Sequence, residues 1–269
     1  MSNGYDIVVC GSLVPDPLQT LEPIMGPQGP GLKNEMMLPA VLDPWAGHAL
    51  YEADHLAKKT EGSRVFLVSI GPKAKLQQLM MAIGQKASFE LIVKDGPASG
   101  FTDAADTARV LAEAIESIPG LDKSKLLVFG GCASASRDAG VTMQMVGEKL
   151  GITDHFLAVD ALEISDSGSL KIKERAESGQ YLLSECSAPP ALIAWATGNL
   201  PEPPNNPQIG MANMRKIMPA LQQAGPAGIE SAGLSFAEVT IPQQKRDTKI
   251  EKDMPVDDIA REIVEWIKG

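Results

Sequence analysis

The chain has 269 residues, 44% of them hydrophobic and 22% charged, a globular composition with room for one large domain or two small ones. Its 24 Lys and Arg against 34 Asp and Glu give a formal net charge of -10, which argues against a nucleic-acid binder and suits pairing with a basic protein. The 3 cysteines, Cys10, Cys132 and Cys186, are widely spaced, so neither a disulfide framework nor a zinc-binding CxxC pair is expected.

Three Trp, three Tyr and six Phe are few for binding bases or flavins by stacking alone. Residues Met1 to Asp6 lack a basic region followed by a long apolar run, and no apolar stretch is long enough to span a bilayer. The expected location is cytoplasmic.

In chain order, Ile7 to Cys10 reads as a buried strand ending at Gly11-Ser12. Residues 15–40, rich in proline and glycine, read as a long irregular excursion of the kind that often carries function. Asp43-Pro44 opens a helix, with Asp43 as cap, Pro44 in the first turn, and Trp45, Ala49, Ala53 and Leu56 on its apolar face. A strand over 64–70 ends at Gly71-Pro72, and Leu76, Leu79, Met80 and Ile83 mark the next helix.

A strand over 89–93 precedes a helix over 103–118, whose inner side carries Ala105, Val110, Leu111, Ala114 and Ile115. The strand Leu126 to Phe129 ends at Gly130-Gly131. Continuously apolar strands alternating with helices predict an α/β fold, a parallel sheet flanked by helices on both faces. Ligands of such sheets bind beyond the carboxyl ends of the strands, which singles out Cys10 to Ser12, Ser69 to Pro72 and Gly130 to Thr142.

The second half is expected to hold a small β-rich segment. A helix near 140–150 precedes a hairpin whose arms, 162–164 and 170–173, flank Asp166-Ser167-Gly168. Strands follow at 181–183 and 192–195, then a loop over 199–209 and a helix over 211–221. Residues 224–254 show no clear period, and Val256, Ile259, Ala260, Ile263, Val264 and Ile267 form an amphipathic terminal helix.

Dinucleotide-fold glycines, a P-loop, a serine nucleophile elbow and a metalloprotease motif are all missing. His48 and His55 share one predicted helix and suit a solvated or packing face better than a metal, and Cys132 reads as an inert thiol. No acid, base and nucleophile come together, so the chain reads as one that binds without breaking covalent bonds, with no metal site.

The run Asp43 to Ala53, followed by Val68-Ser69-Ile70-Gly71-Pro72, resembles the beta subunit of electron transfer flavoproteins. That family carries Asn-Pro-Phe and Ala-x-Glu-Glu-Ala on the same helix and Val-Ser-x-Gly-Pro after the next strand. Phe129 to Met145 is similar to its nucleotide loop, which ends in Thr-Gly-Gln-Met; Arg175 to Gly179 and Ala188 to Ile193 match two further segments in the same order.

The resemblance implies an adenine nucleotide alpha hydrolase-like fold, with a nucleotide-binding domain over 1–190 and a docking arm and interface helix over 191–269. It also implies a heterodimer with an alpha subunit that holds most of the electron-carrying FAD, while this chain buries AMP or, as in electron-bifurcating members, a second FAD. The contacts implied are Cys10, Asp43, Pro44, Trp45, Ala46, Ile70, Gly131, Cys132, Arg137, Asp138, Gly140, Val141 and Thr142.

Several positions depart from the family. Its Lys-Gln is Cys132-Ala133 here, its Asn-Gln is Gly140-Val141, its helix-opening Asn is Asp43, and the Lys-Arg after its first strand is Ser12-Leu13. Arg137 is a candidate to restore positive charge, with a solvated loop arginine as the alternative.

The family's docking loop, which anchors an acyl-CoA dehydrogenase through a leucine, corresponds to 199–218. Met211 takes the anchor's place there, with Met214 and Arg215 beside it, although helical spacing fits a core stripe equally well. The function implied is an electron-carrier subunit, not an enzyme, that takes electrons from flavin dehydrogenases and relays them through FAD to a downstream acceptor, with a quinone oxidoreductase as a candidate indirect link to a membrane. The alternatives are a free-standing adenine-nucleotide sensor and an ATP-pyrophosphatase-like enzyme; the latter needs a Ser-Gly-Gly-x-Asp-Ser loop that Cys10 to Asp16 does not supply.

Overall fold

The computed structural model describes residues 4–26, 29–97, 101–165, 167–229, 237–242 and 248–268. Strand β1 (Asp6–Cys10) is buried along its whole length. The excursion that follows is more ordered than its composition predicts. It holds β2 (Leu13–Pro15), the hairpin β3 (Pro23–Gly26) and β4 (Gly29–Leu32), and β5 (Ala40–Leu42), which pairs back onto β2.

Helix α1 (Pro44–Lys59) begins where Asp43-Pro44 predicts, with the Asp43 carboxylate accepting the Trp45 N–H. Then come β6 (Arg64–Gly71), α2 (Lys73–Ile83), β7 (Glu90–Asp95), α3 (Ala104–Glu116), β8 (Leu126–Gly131) and α4 (Thr142–Leu150). Ala104 and Ala108 are fully buried on α3, whereas Ala105, expected inside, is half-buried. Strand β9 (Asp154–Ile164) begins well before the predicted hairpin arm and continues into β10 (Leu170–Arg175) and β11 (Tyr181–Cys186); Asp166 of the connecting turn lies outside the described residues.

Strand β12 (Ala191–Trp195) is fully buried. Helix α5 (Pro207–Gln222) starts inside the stretch expected to be loop, because Asn206 caps it by accepting the Gln208 and Ile209 N–H groups. A two-residue strand, β13 (Gly225–Pro226), and α6 (Val256–Lys268) complete the chain.

Among the described residues, the main sheet has nine strands in the order β11-β10-β9-β12-β8-β1-β6-β7-β13. It is parallel from β9 through β13, and β9, β10 and β11 form an antiparallel meander. Alternation along the strands sends Ile7, Val9, Leu127 and Phe129 to one face, with Ala49, Leu50 and Ala53 of α1. Val8, Val68, Val128 and Leu192 go to the other, with Leu111 and Ile115 of α3 and Val146 of α4. Burying each Leu, Ile or Val of this kind is worth about 1.5–3 kcal/mol.

At the amino ends of the strands, Arg64 grips Asp6 through two 2.8 Å bonds, and Asp6 also accepts the Asp122 N–H at 2.8 Å. The carboxyl ends, on the opposite edge, are left to form the site.

Candidate functional site

Where β1, β6 and β8 end, the chain lines a half-open cavity of about 1100 Å³. Cys10, Asp43, Ala46, Ile70, Gly131, Arg137, Gly140, Val141 and Thr142 all line it. Four other expected contacts lie elsewhere. Pro44 is exposed and Trp45 half-buried, and neither Cys132 nor Asp138 is in the cavity wall.

Trp45 packs behind Gly131, where a Cβ would fall 2.5 Å from the Trp45 Cβ; only glycine permits that approach. Cys132 turns its N–H to the Trp195 carbonyl at 2.9 Å, and burial pushes its thiol up in pKa. Asp138 adopts a left-handed φ of 53° and donates its N–H to Ser134.

Asp43 organises the loop between β8 and α4. Its buried carboxylate accepts the Ser134 hydroxyl at 2.6 Å, the Ala135 N–H at 3.0 Å and the Trp45 N–H at 3.2 Å. Burial raises its pKa, those three bonds pull it back, and the charge of Asp138 raises it further. These three bonds are all internal, so the role of this carboxylate in the wall is to hold the loop.

The start of α4 is different. Val141 caps it without a side-chain hydrogen bond, and Val141, Thr142 and Met143 all face the cavity. Unpaired N–H groups and the positive end of the helix dipole at such a terminus attract an anion. Among the helices around the cavity, α1 and α3 are closed by Asp43 and Asp103. Arg137 ties the same loop to the carbonyl of Thr102. Cys10 is buried with its thiol pushed up to about 12, so it lines the wall as a neutral group.

Sequence reasoning missed part of the wall. Ile24 and Leu32 of the β3–β4 hairpin, Phe101, and residues 239–242 also line the cavity. The Pro- and Gly-rich excursion gave a signal for the hairpin. Residues 239–242 gave none, because their contact with the site is made across the fold.

On α5, Asn213, Ile217 and Leu221 are buried. The Asn213 amide donates to the carbonyls of Gly84 and Ala87 at 2.8 and 2.7 Å, closing the end of α2. Met211 is 65% and Met214 44% exposed, and Arg215 is also outside, so the methionine stripe is not the core face. Met81, Gly84 and Gln85 border a small groove of about 210 Å³ beneath Met211 and Met214.

Helix α6 has no buried residue and displays Ile263, Val264, Trp266 and Ile267. Among the described residues, no group of three or more His, Cys, Asp or Glu is placed to hold a metal ion, and no helix is long and apolar enough to cross a membrane.

Residues 34–230 match the family model of the electron transfer flavoprotein domain. The chain belongs to the electron transfer flavoprotein family. Proteins of this family bind flavin and act as electron carriers, not as classical enzymes. No curated protein matches the chain. The family span takes in α1, the β8–α4 loop and α5; β1 and the β3–β4 hairpin precede it, and α6 follows it.

Proposed function

We propose that this chain is the beta subunit of a heterodimeric electron transfer flavoprotein. It takes electrons from a flavin-containing, acyl-CoA dehydrogenase-like donor and relays them through FAD to a downstream acceptor. The alpha subunit holds most of that FAD, and this chain holds an AMP in the cavity at the strand ends. The pair works in the cytoplasm and connects to a membrane only through a quinone oxidoreductase.

The observation that carries the reading is the uncapped amino terminus of α4 opening into the 1100 Å³ cavity of an electron transfer flavoprotein domain. FAD, when bound, supplies the one- and two-electron chemistry. This chain supplies shape and electrostatics. The first turn of α4 takes a phosphate, Asp43 keeps the loop in place, and the apolar walls exclude water from the remainder of the ligand. Cys10 is neutral and the Asp43 carboxylate is engaged internally, so both serve as wall and scaffold.

A second FAD in place of AMP is favoured by one feature. The cavity, at about 1100 Å³, lies at the top of the usual range for small-ligand pockets, about 300–1000 Å³, and Ile24, Leu32 and Phe101 in its lining offer apolar surface to a flavin ring.

The test is to co-express the chain with its alpha partner, purify the complex, and separate the extracted nucleotides by chromatography. One FAD and one AMP per heterodimer support the AMP reading, and two FAD with no AMP support the second. A colourless, monomeric chain from cells that make both subunits overturns the assignment.

A further inference from the structure

Helix α1 holds two loops that leave the carboxyl edge of the sheet, one after β8 and one after β12. At its start, Asp43 binds Ser134 and Ala135 of the cavity loop. Further along, the half-buried carboxylate of Glu52 accepts the Asn199 N–H at 2.7 Å, and the neighbouring Leu200 N–H also favours its charged form. Asn199 and Leu200 leave the sheet just after β12 and begin the segment that leads to α5.

Gly198, the residue before them, lies at a left-handed φ of 66°, and a Cβ there would fall 2.7 Å from Glu52 Oε1. The backbone therefore sits directly on the carboxylate, in a conformation that favours glycine, and a side chain there would displace the Glu52 carboxylate.

Two other contacts fasten this segment. Glu202 pairs with Lys86, and the Asn206 N–H donates to the Gln85 carbonyl at 2.8 Å. The Glu202 carboxylate is 60% exposed, and such a pair is weak and screened by salt. The Asn206 bond joins two neutral groups. The Asn199 bond to Glu52 is charge-assisted and, at 2.7 Å, short, a stronger kind than a bond between neutral groups.

We propose that Glu52 is a positioning residue. Its carboxylate sets the course of residues 198–206 as they leave the sheet, and thereby the presentation of Met211 on α5. The consequence for electron transfer rests on the docking role proposed for that face, so the two are measured separately.

Amide hydrogen exchange on the heterodimer reads the positioning directly. Glu52→Ala lowers protection at Asn199 and Leu200 by at least about tenfold, the loss expected for a charge-assisted bond, while β8 and β12 keep theirs. Glu52→Gln, which retains an acceptor oxygen, restores part of it. Gly198→Ala attacks the same contact from the backbone side and gives the same loss. It also keeps the test decisive if Glu52→Ala fails to fold. Unchanged protection at Asn199 and Leu200 in these variants overturns the proposal.

Docking is read from the KM of an acyl-CoA dehydrogenase for the heterodimer. A several-fold rise in Glu52→Ala, with kcat held, supports positioning and docking together. A rise in Met211→Ala but not in Glu52→Ala overturns the proposal. Lost protection with KM unchanged in both variants upholds the role of Glu52 in ordering the segment and overturns the docking reading of α5 instead.

Discussion

Asp43 and Ser134 lie 91 residues apart in the chain and 2.6 Å apart across the cavity wall. The same carboxylate caps α1, so one side chain joins the start of a helix to the loop that leads into the next site element, α4. Removing it breaks both connections. Asp43→Ala is expected to cost about 1–3 kcal/mol, the sum of a lost cap and an unpaired loop, in urea unfolding of the chain. Asp43→Asn keeps an acceptor for the cap and loses less. Equal stability of Asp43→Ala and the native chain contradicts the joint role.

The pH dependence of that stability has a defined sign. Burial raises the folded-state pKa of Asp43 above its unfolded value. Stability from this group is fully present below the unfolded pKa, about 3.9, and is lost as pH rises through the higher folded value. Relative to Asp43→Asn, the native chain therefore gains stability as pH falls from neutral through the folded value. Parallel unfolding curves at several pH values check this, and a pH-independent difference contradicts it.

At Val141 stability and binding are expected to move in opposite directions. Val141 caps α4 without a side-chain bond. Val141→Asp supplies a cap worth about 0.5–2 kcal/mol and raises the Tm of the nucleotide-free chain. The new carboxylate also occupies the N–H groups meant for phosphate, so AMP affinity by calorimetry falls at least about tenfold, the effect of losing roughly 1.4 kcal/mol. Tighter AMP binding in this variant rules out phosphate at the α4 terminus.

The two faces of α5 separate under substitution. Ile217 is 1% exposed and Met211 65%. Ile217→Ala is expected to destabilise by about 2–5 kcal/mol, and Met211→Ala by less than about 0.5 kcal/mol. Only the latter raises the KM of the donor dehydrogenase while leaving the Tm in place. Thermal unfolding beside steady-state kinetics distinguishes them.

Helix α6 buries none of its residues against the chain. Ending the chain after Pro255 is therefore expected to leave the Tm of the isolated subunit within a degree or two, roughly the shift of a sub-kcal/mol change. Trp266→Glu weakens co-purification with the alpha subunit. A large Tm drop on truncation contradicts the reading of α6 as a partner-facing element.

The sequence by itself determined the alternation of strands and helices over the first half of the chain and the start of α1. Runs such as Ile7 to Cys10 and Leu126 to Phe129 are apolar throughout because both faces of their strands are covered, and that signal is local. Asp43-Pro44 announced the start of α1 because cap chemistry is decided within one turn. Loop ends at Cys10, Ile70, Gly131 and Thr142 were placed at the cavity by a rule about strand ends, and they line it.

What tertiary structure alone decided depends on contacts between distant segments. Spacing allowed Met211 and Met214 to be core or surface; the Asn213 amide settled it by closing the end of α2, a partner more than a hundred residues away. Cys132 stands beside Gly131 in sequence, yet its N–H turns to Trp195 and it leaves the cavity wall. The cap of α1 was legible, but its grip on Ser134 was not, because periodicity records which way a residue faces within its own element and carries no record of what the rest of the chain brings to meet it.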